Sequence, residues 1–598
     1  MTAVKKVDQP SGQSALPAAG TAFPTAADAV GWVDTLEDLP LLRRRAFKMA
    51  IGVLGRIYRR PLETIPLDPA ELSRTFLEAS APACGGLTPS SLKTYRSNLR
   101  FVLYKLGLIE QSRRPASSLP PAWAALRDSL PDKYLSMWLQ AFMAYCAEAG
   151  ITPERVSDET LAAYFKLLTT RRLMRSPTVR VRKVASAWNR AATTVPNWPT
   201  IHIQAPVHSK NYSFPLSAYP LSYQADVEKF RQRMSRDNVD GLYTTDTPCQ
   251  PARPRTIKTR LDTIRVAAAA LVHSGVPIEQ ITSLAVLVEV ANLKKIITWH
   301  WLRAGKKINV TTGQIAETSR IIAKYHVGLT GSDLAAVIVV AKAATPPQSS
   351  RMTEKNEQRL LQLEDKIAEA KLLHLPNHLM KEARALLARR KFCMAAWTAG
   401  VAVAIEIELY CPMRLENLST LRINHELVRL DSRSKHWTHL RIAADDVKNG
   451  VPITWPIEPE SAQLIETYLR DFRPMLQYSG TDWLFPNRDR AGCPRQPSGL
   501  SVAISDAIYK FIGIHMNTHL FRAFAGAQIL EDNPGALQDL RLVLGHKTMN
   551  TALRYYTSHS SKAAAKNLSK LVSRKRGETR LVAAAAFEPQ RRKFGRHA

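Results

Sequence analysis

Apolar residues return every three or four positions through most of this chain, the period of helices that bury one face. Between Trp32 and about Ile109, the stretches LPLLRRRAFKMAIGVLGRIYRR, PAELSRTFLEAS and SSLKTYRSNLRFVLYKLG predict three helices, the last stopping at Gly107. They define a helical domain over 29–115. RRPASSLPPAW reads as a linker to a second helical unit over 120–205, carried by LPDKYLSMWLQAFMAYCAEAGI, SDETLAAYFKLL and SPTVRVRKVASAWNRAATTVP. A third helix-rich unit covers 217–343. Residues 344–376 read as a hinge and a charged connecting helix with Leu360, Leu363, Ile367 and Ala370 on its apolar side.

The pattern changes beyond 377. RRKFCMAAWTAGVAVAIEIELY predicts a core helix, whereas LRIAADDV and PITWPI read as short strands beside an Asn-Gly turn, a strong hairpin signal. SAQLIETYLRDF and SGLSVAISDAIYKFIG return to helical spacing. The predicted fold is multi-domain and mainly α, with a small β-sheet in a C-terminal domain over 377–575. Residues 1–28, rich in Ala, Pro, Ser, Gly and Thr, read as a flexible tail, and 576–598 as a basic one.

Charge narrows the function. The 598 residues carry 83 Lys+Arg against 51 Asp+Glu, a formal net charge of +32, so a polyanion is the expected partner. Two helical stretches, SLKTYRSNLR and TIKTRLDTIR, repeat Lys93 with Lys258, Thr94 with Thr259 and Arg100 with Arg265 in register. Lys93, Arg96, Arg100, Lys258, Arg260 and Arg265 are therefore candidate phosphate contacts. Six scattered cysteines without CxxC or CxxxH spacing predict reduced, mostly buried thiols and no structural zinc. No charge-free apolar run reaches the length of a membrane span, and the N-terminal residues lack a secretory core. A cytoplasmic, nucleoid-associated protein is expected.

The stretch HMNTHLFRAFAGAQILEDNPGALQDLRLVLGHKTMNTALRYYTSHS concentrates the reactive side chains. His519 and Arg522, three apart in a helical pattern, project from one face, where a guanidinium fork and an imidazole can share a phosphate. His546 follows a glycine that ends the next helix. Tyr555 and Tyr556 lie in a further helix, and a tyrosine hydroxyl needs cationic and basic neighbours to act as a nucleophile.

HLFR, LGH from Leu544, and a tyrosine nine residues after that histidine resemble the C-terminal signature of the tyrosine recombinase (phage integrase) family. The resemblance requires an earlier arginine and a lysine in a hairpin. LYCPMRLENLSTLRINHEL supplies Arg414, DDVKNGVPITWPI supplies Lys448, and WLFPN, ending at Asn487, matches the segment before the last helices. The family's acidic residue three after the first arginine is here Asn417, with Glu416 one earlier. Tyr555 has the family spacing, and Tyr556 is the reserve nucleophile.

The resemblance implies a site-specific DNA recombinase with Arg414, Lys448, His519, Arg522, His546 and Tyr555 as catalytic residues and a 3′-phosphotyrosyl intermediate. It implies no metal, cofactor or ATP. It also implies that 217–343 is a core-binding domain closing on double-stranded DNA, and that the chain works as a tetramer or dimer of dimers. A C-terminal helix bearing Leu568 and Leu571 would dock into a neighbouring protomer, and DNA-bending or partner recombinase proteins are possible accessories. Integration, excision or transposition of a mobile element are the expected roles. A type IB topoisomerase, a telomere resolvase, or a DNA-binding accessory protein without activity are the alternatives.

Overall fold

The computed structural model describes residues 23–84, 86–110, 119–206, 212–235, 251–347, 352–430, 436–447, 450–533, 535–545, 568–569 and 571–582. They fall into two compact units, 203–349 and the combination of 1–202 with 350–598.

The 203–349 unit is helical. Leu221–Ser235, Pro254–His273, Val290–Arg303, Val310–Ile322 and Gly331–Ala344 are its longer helices. Tyr223, Phe230, Ile264, Leu271, Leu293, Ile296 and Ile315 meet in its core. Asp226 ties this bundle internally, accepting from the Leu284 amide at 2.7 Å and lying 2.8 Å from His326 Nε2.

In the larger unit, the helices Ala26–Asp34, Leu41–Tyr58 and Pro89–Lys105 bury Phe47, Leu54, Leu99 and Val102 in one cluster, which Leu173 joins from a later segment. Lys133–Glu148, Asp158–Thr170 and Pro177–Thr194 pack around Phe142, Tyr164 and Trp188. The repeated sequences occupy matching positions. Both helices open with proline, at Pro89 and Pro254; Leu92 with Ile257 and Leu99 with Ile264 face inward, while Lys93 and Lys258 are exposed.

The C-terminal part of this unit is built on the helix Phe392–Tyr410, whose residues are mostly buried. That helix is long and apolar enough to cross a membrane, but 67% of its most apolar window is buried inside the domain, and it carries Glu406 and Glu408. Three antiparallel strands follow: β1 Leu427–Val428, β2 His439–Ile442 and β3 Ile453–Pro456, in the order β1-β2-β3. Leu440 pairs with Trp455 on the buried face, as alternation requires. The fold is thus mainly α with a small sheet.

The connecting segment departs from the single helix expected. Helix Glu354–Leu361 passes through a 3-10 turn, and a new helix, Lys366–Leu373, restarts at Asp365, whose carboxylate caps the Ile367 amide. The restart rotates the face. Leu360, Leu363, Ala368 and Leu372 are buried, whereas Ile367 and Ala370 point outward. Cys84, Cys146 and Cys411 are buried as expected, but Cys393 is exposed.

The N-terminal helical segment also packs on the helix Pro497–Ile512. The Ser80 amide donates to the Tyr509 hydroxyl at 3.3 Å. Gly513 ends that helix at φ +89, and a Cβ there would lie 2.6 Å from the Ala83 nitrogen. Only glycine satisfies both the backbone angle and the contact.

Candidate active site

Arg522 organises the site. Its helix, His519–Asp532, starts after Asn517, whose side chain accepts from the Leu520 amide at 3.1 Å. One turn in, the buried Arg522 guanidinium donates from Nη1 to the Pro412 carbonyl at 2.7 Å and from Nη2 to the Leu544 carbonyl at 2.6 Å. Pro412 lies two residues before Arg414, and Leu544 two before His546. One planar fork therefore fixes three segments that are far apart in sequence.

Arg414 stands at the start of the short helix Leu415–Ser419, in extended conformation. Its side chain is half-buried and has no carboxylate partner among the described residues. Burial lowers its pKa from the ordinary arginine value. His519 is on the open side of the site. Burial, and then the charges of Arg522 and Arg414, hold it below the ordinary histidine value, which favours the neutral imidazole beside two cations. A charged imidazole would add a third like charge. Two guanidiniums that act electrostatically on one imidazole are donors of the kind that phosphate oxygens accept from.

Two further residues support this set. Glu408, fully buried on the core helix, senses the Arg522 charge; burial pushes its carboxyl well up, while Arg522 and the Met413 backbone pull it down. Asn417 donates its amide to the Asp446 carbonyl at 3.1 Å, tying the Arg414 segment to the turn between β2 and β3. Sequence reading left Glu408 unassigned, although two carboxylates in the apolar run IEIELY are themselves a signal. The other, Glu406, accepts from Ser461 Oγ at 2.5 Å. WLFPN is fixed from beneath: the buried Arg473 donates to the carbonyls of Ser479, Thr481 and Trp483, and the Leu484 amide donates to the Leu421 carbonyl at 2.7 Å.

Lys448, His546, Tyr555 and Tyr556 lie outside the described residues. Their approaches are described. Gly545, just before His546, adopts φ +59, and a Cβ there would come 3.0 Å from Ile453 Cδ1 at the start of β3. Gly545 thus lies against the first residue of β3.

The candidate phosphate contacts are placed unequally. Lys93 and Lys258 are exposed. Arg96 turns inward and donates from Nη2 to the carbonyls of Leu77 and Ala79 at 2.9 and 2.6 Å. Arg100 donates to the Leu173 carbonyl at 3.3 Å. Arg260 is half-buried against Met234 Sδ, and Arg265 pairs with Asp262 at 3.3 Å. Arg96 and Arg100 thus spend donors on main-chain carbonyls.

Residues 377–563 match the model of the phage integrase family, and they form such a domain. Among solved structures, the chain is similar to XerA recombinase at 14% identity, covering 57% of this chain and 98% of that one, with a TM-score of 0.23. It is similar to a lambda integrase dimer bound to a COC′ core site at 13% identity, covering 64% and 88%, with a TM-score of 0.31. It is also similar to XerH site-specific recombinase bound to difH substrate at 15% identity, covering 59% and 99%, with a TM-score of 0.30. A comparison with curated proteins gives no match.

Proposed function

We propose that this chain, with its phage integrase domain, is a site-specific DNA recombinase that cuts and rejoins strands by transesterification. The observation that carries the reading is the Arg522 fork. It holds the Pro412 and Leu544 carbonyls, which lie two residues before Arg414 and His546 in the sequence, and Arg522 and Arg414 both act electrostatically on His519.

In the proposed reaction the Tyr555 phenol oxygen attacks the scissile phosphorus. The phosphorus bond to the 5′-oxygen breaks, leaving a 3′-phosphotyrosyl link and a 5′-hydroxyl that takes its proton from Lys448. A 5′-hydroxyl from another strand then attacks the phosphotyrosine, and Tyr555 leaves with a proton. The phosphodiester energy is kept in the covalent link, so no ATP is consumed and the chain's own cations suffice. Arg414 and Arg522 oppose the charge that grows on the phosphorane. His519 and His546 hydrogen-bond the phosphate or take the tyrosine proton. The recombinase acts on double-stranded DNA as a tetramer or dimer of dimers in the cytoplasm, and it integrates, excises or transposes a mobile element. Leu568 and Leu571, both exposed, fit a helix that docks into the next protomer.

The test uses a duplex carrying the element's junction with a nick placed to trap the adduct, run on a denaturing gel. An adduct lost only with Tyr555→Phe supports the reading; loss only with Tyr556→Phe moves the nucleophile by one residue. Tight binding without any adduct leaves an accessory DNA-binding protein.

A further inference from the structure

We propose that the cleft between the Pro89–Lys105 helix and the segment Arg172–Arg180 binds the phosphate backbone of duplex DNA, through residues separate from the Arg414 set. The proposal rests on DNA being the partner. The cleft measures about 910 Å3, and Arg100, Arg172, Arg175 and Arg180 line it, with Glu110 the one carboxylate among its described lining residues.

The charge within it is not balanced. Glu110 is taken by Arg171 at 3.2 Å, and Arg175 is taken by Glu78 at 2.9 Å. Arg100, Arg172 and Arg180 have no carboxylate partner among the described residues; Arg100 and Arg180 each donate to one main-chain carbonyl, of Leu173 and Met137. The Nε atoms of Arg172 and Arg180 and the Trp138 indole nitrogen are buried without an acceptor. Three like charges facing one cleft, Arg100 from one wall and Arg172 and Arg180 from the other, repel, and an anion between them lowers that cost. A guanidinium meets phosphate oxygens with two parallel donors.

Two observations select the ligand. First, two of the three aromatic rings that line the cleft are already engaged, because Arg180 lies 5.0 Å over the Trp138 ring and Arg43 lies 5.6 Å over Phe101, which leaves Tyr104 alone exposed. Unpaired bases would need such faces free for stacking, so the cleft suits backbone rather than bases. Secondly, Arg175 also lines a neighbouring cleft of about 1300 Å3 that carries Arg56, Arg59 and Arg74 beside the carboxylates Glu78, Asp365 and Asp506, of which Glu78 is the partner of Arg175. The cations continue past one pocket, as a repeating polyanion requires and a single small anion does not. A cleft of this size admits one strand's backbone, with the rest of the duplex outside.

The test measures the full-length chain carrying Tyr555→Phe by fluorescence anisotropy, on a labelled random-sequence duplex, across a potassium chloride series. Because no cleavage is read, the result stands whether or not the adduct assay succeeds. The Arg172→Gln, Arg180→Gln double variant should bind about tenfold more weakly, and its plot of log affinity against log salt should be shallower by about two. Arg100→Glu, an exposed change that does not depend on refolding a buried site, should also weaken binding and flatten the slope. Duplex should protect Arg100 and Arg172 from phenylglyoxal, read by mass spectrometry. Unchanged affinity and slope in variants with the parental circular dichroism would overturn the proposal. So would displacement of the duplex by polyglutamate at equal charge, which would assign the cleft to an acidic peptide.

Discussion

Asn417 donates its side-chain amide to the Asp446 carbonyl at 3.1 Å, two residues ahead of Lys448. An acidic side chain at this position would face the carbonyl with no proton to give, so the amide is suited to this particular contact. The bond ties the Arg414 segment to the hairpin turn. Asn417→Asp should therefore slow adduct formation more than Asn417→Ala, because it replaces a lost bond with a repulsion. Losses of about fivefold for Ala are expected from one hydrogen bond of about 1 kcal/mol. Single-turnover adduct formation on the nicked duplex measures both, and equal or faster rates in Asn417→Asp would refute the role.

His519 gives a pH dependence whose sign follows from its surroundings. Its folded value lies below the ordinary 6.5, first through burial and then through Arg522 and Arg414. The folded chain holds this proton less readily than the unfolded one. Its stability contribution is complete above about pH 6.5 and is lost as pH falls through the lower folded value. Thermal melts taken downward from neutral pH should show a steeper loss for the parent than for His519→Gln, which cannot titrate. Parallel curves would remove His519 from this cluster.

Much of this was legible in the chain because apolar periodicity reports which face is buried. It failed where a cap intervened. The connecting segment reads as one helix, but Asp365 caps a second, and the inward face moves from Ile367 and Ala370 to Ala368 and Leu372. Arg96 shows a different limit. It lies four residues after Leu92 and three before Leu99, on the buried side of its helix, and its charge is absorbed by carbonyls that no local pattern announces. At the site, helical spacing was enough to pair His519 with Arg522, whereas Arg414, about a hundred residues earlier, entered only through the family resemblance. Glu408 was visible as a carboxylate in an apolar run, but its partner was not, since only the fold brings the Arg522 charge to it.

Gly513 is held by two constraints, φ +89 and the Ala83 nitrogen that a Cβ would meet at 2.6 Å. The neighbour is backbone and cannot swing away. Gly513→Ala should destabilise the larger unit by about 1–3 kcal/mol, seen as a lower melting temperature. It should also loosen the N-terminal segment, giving faster cleavage near Ala83 in limited proteolysis. Gly545→Ala is a milder case, because its neighbour is the tip of Ile453. Its cost should appear in adduct formation, through the displaced His546, more than in the melt.

Arg522 and Arg414 carry the same charge but should respond differently to lysine. Arg522 uses two nitrogens of one plane to hold the Pro412 and Leu544 carbonyls, and it is buried. A lysine ammonium is a point donor on a flexible stem and cannot span both carbonyls at once. Arg522→Lys should thus lower the melting temperature and cut adduct formation by about a hundredfold or more, the scale of a lost oxyanion donor. Among the described residues Arg414 makes no hydrogen bond or ion pair that braces another segment, and its half-buried guanidinium is left for the substrate. Arg414→Lys should leave the melt near that of the parent while still slowing the chemistry. Measuring both quantities for both variants separates a residue that builds the pocket from one that only works in it. A melt lowered equally by the two substitutions would mean that Arg522 is not the brace its geometry indicates.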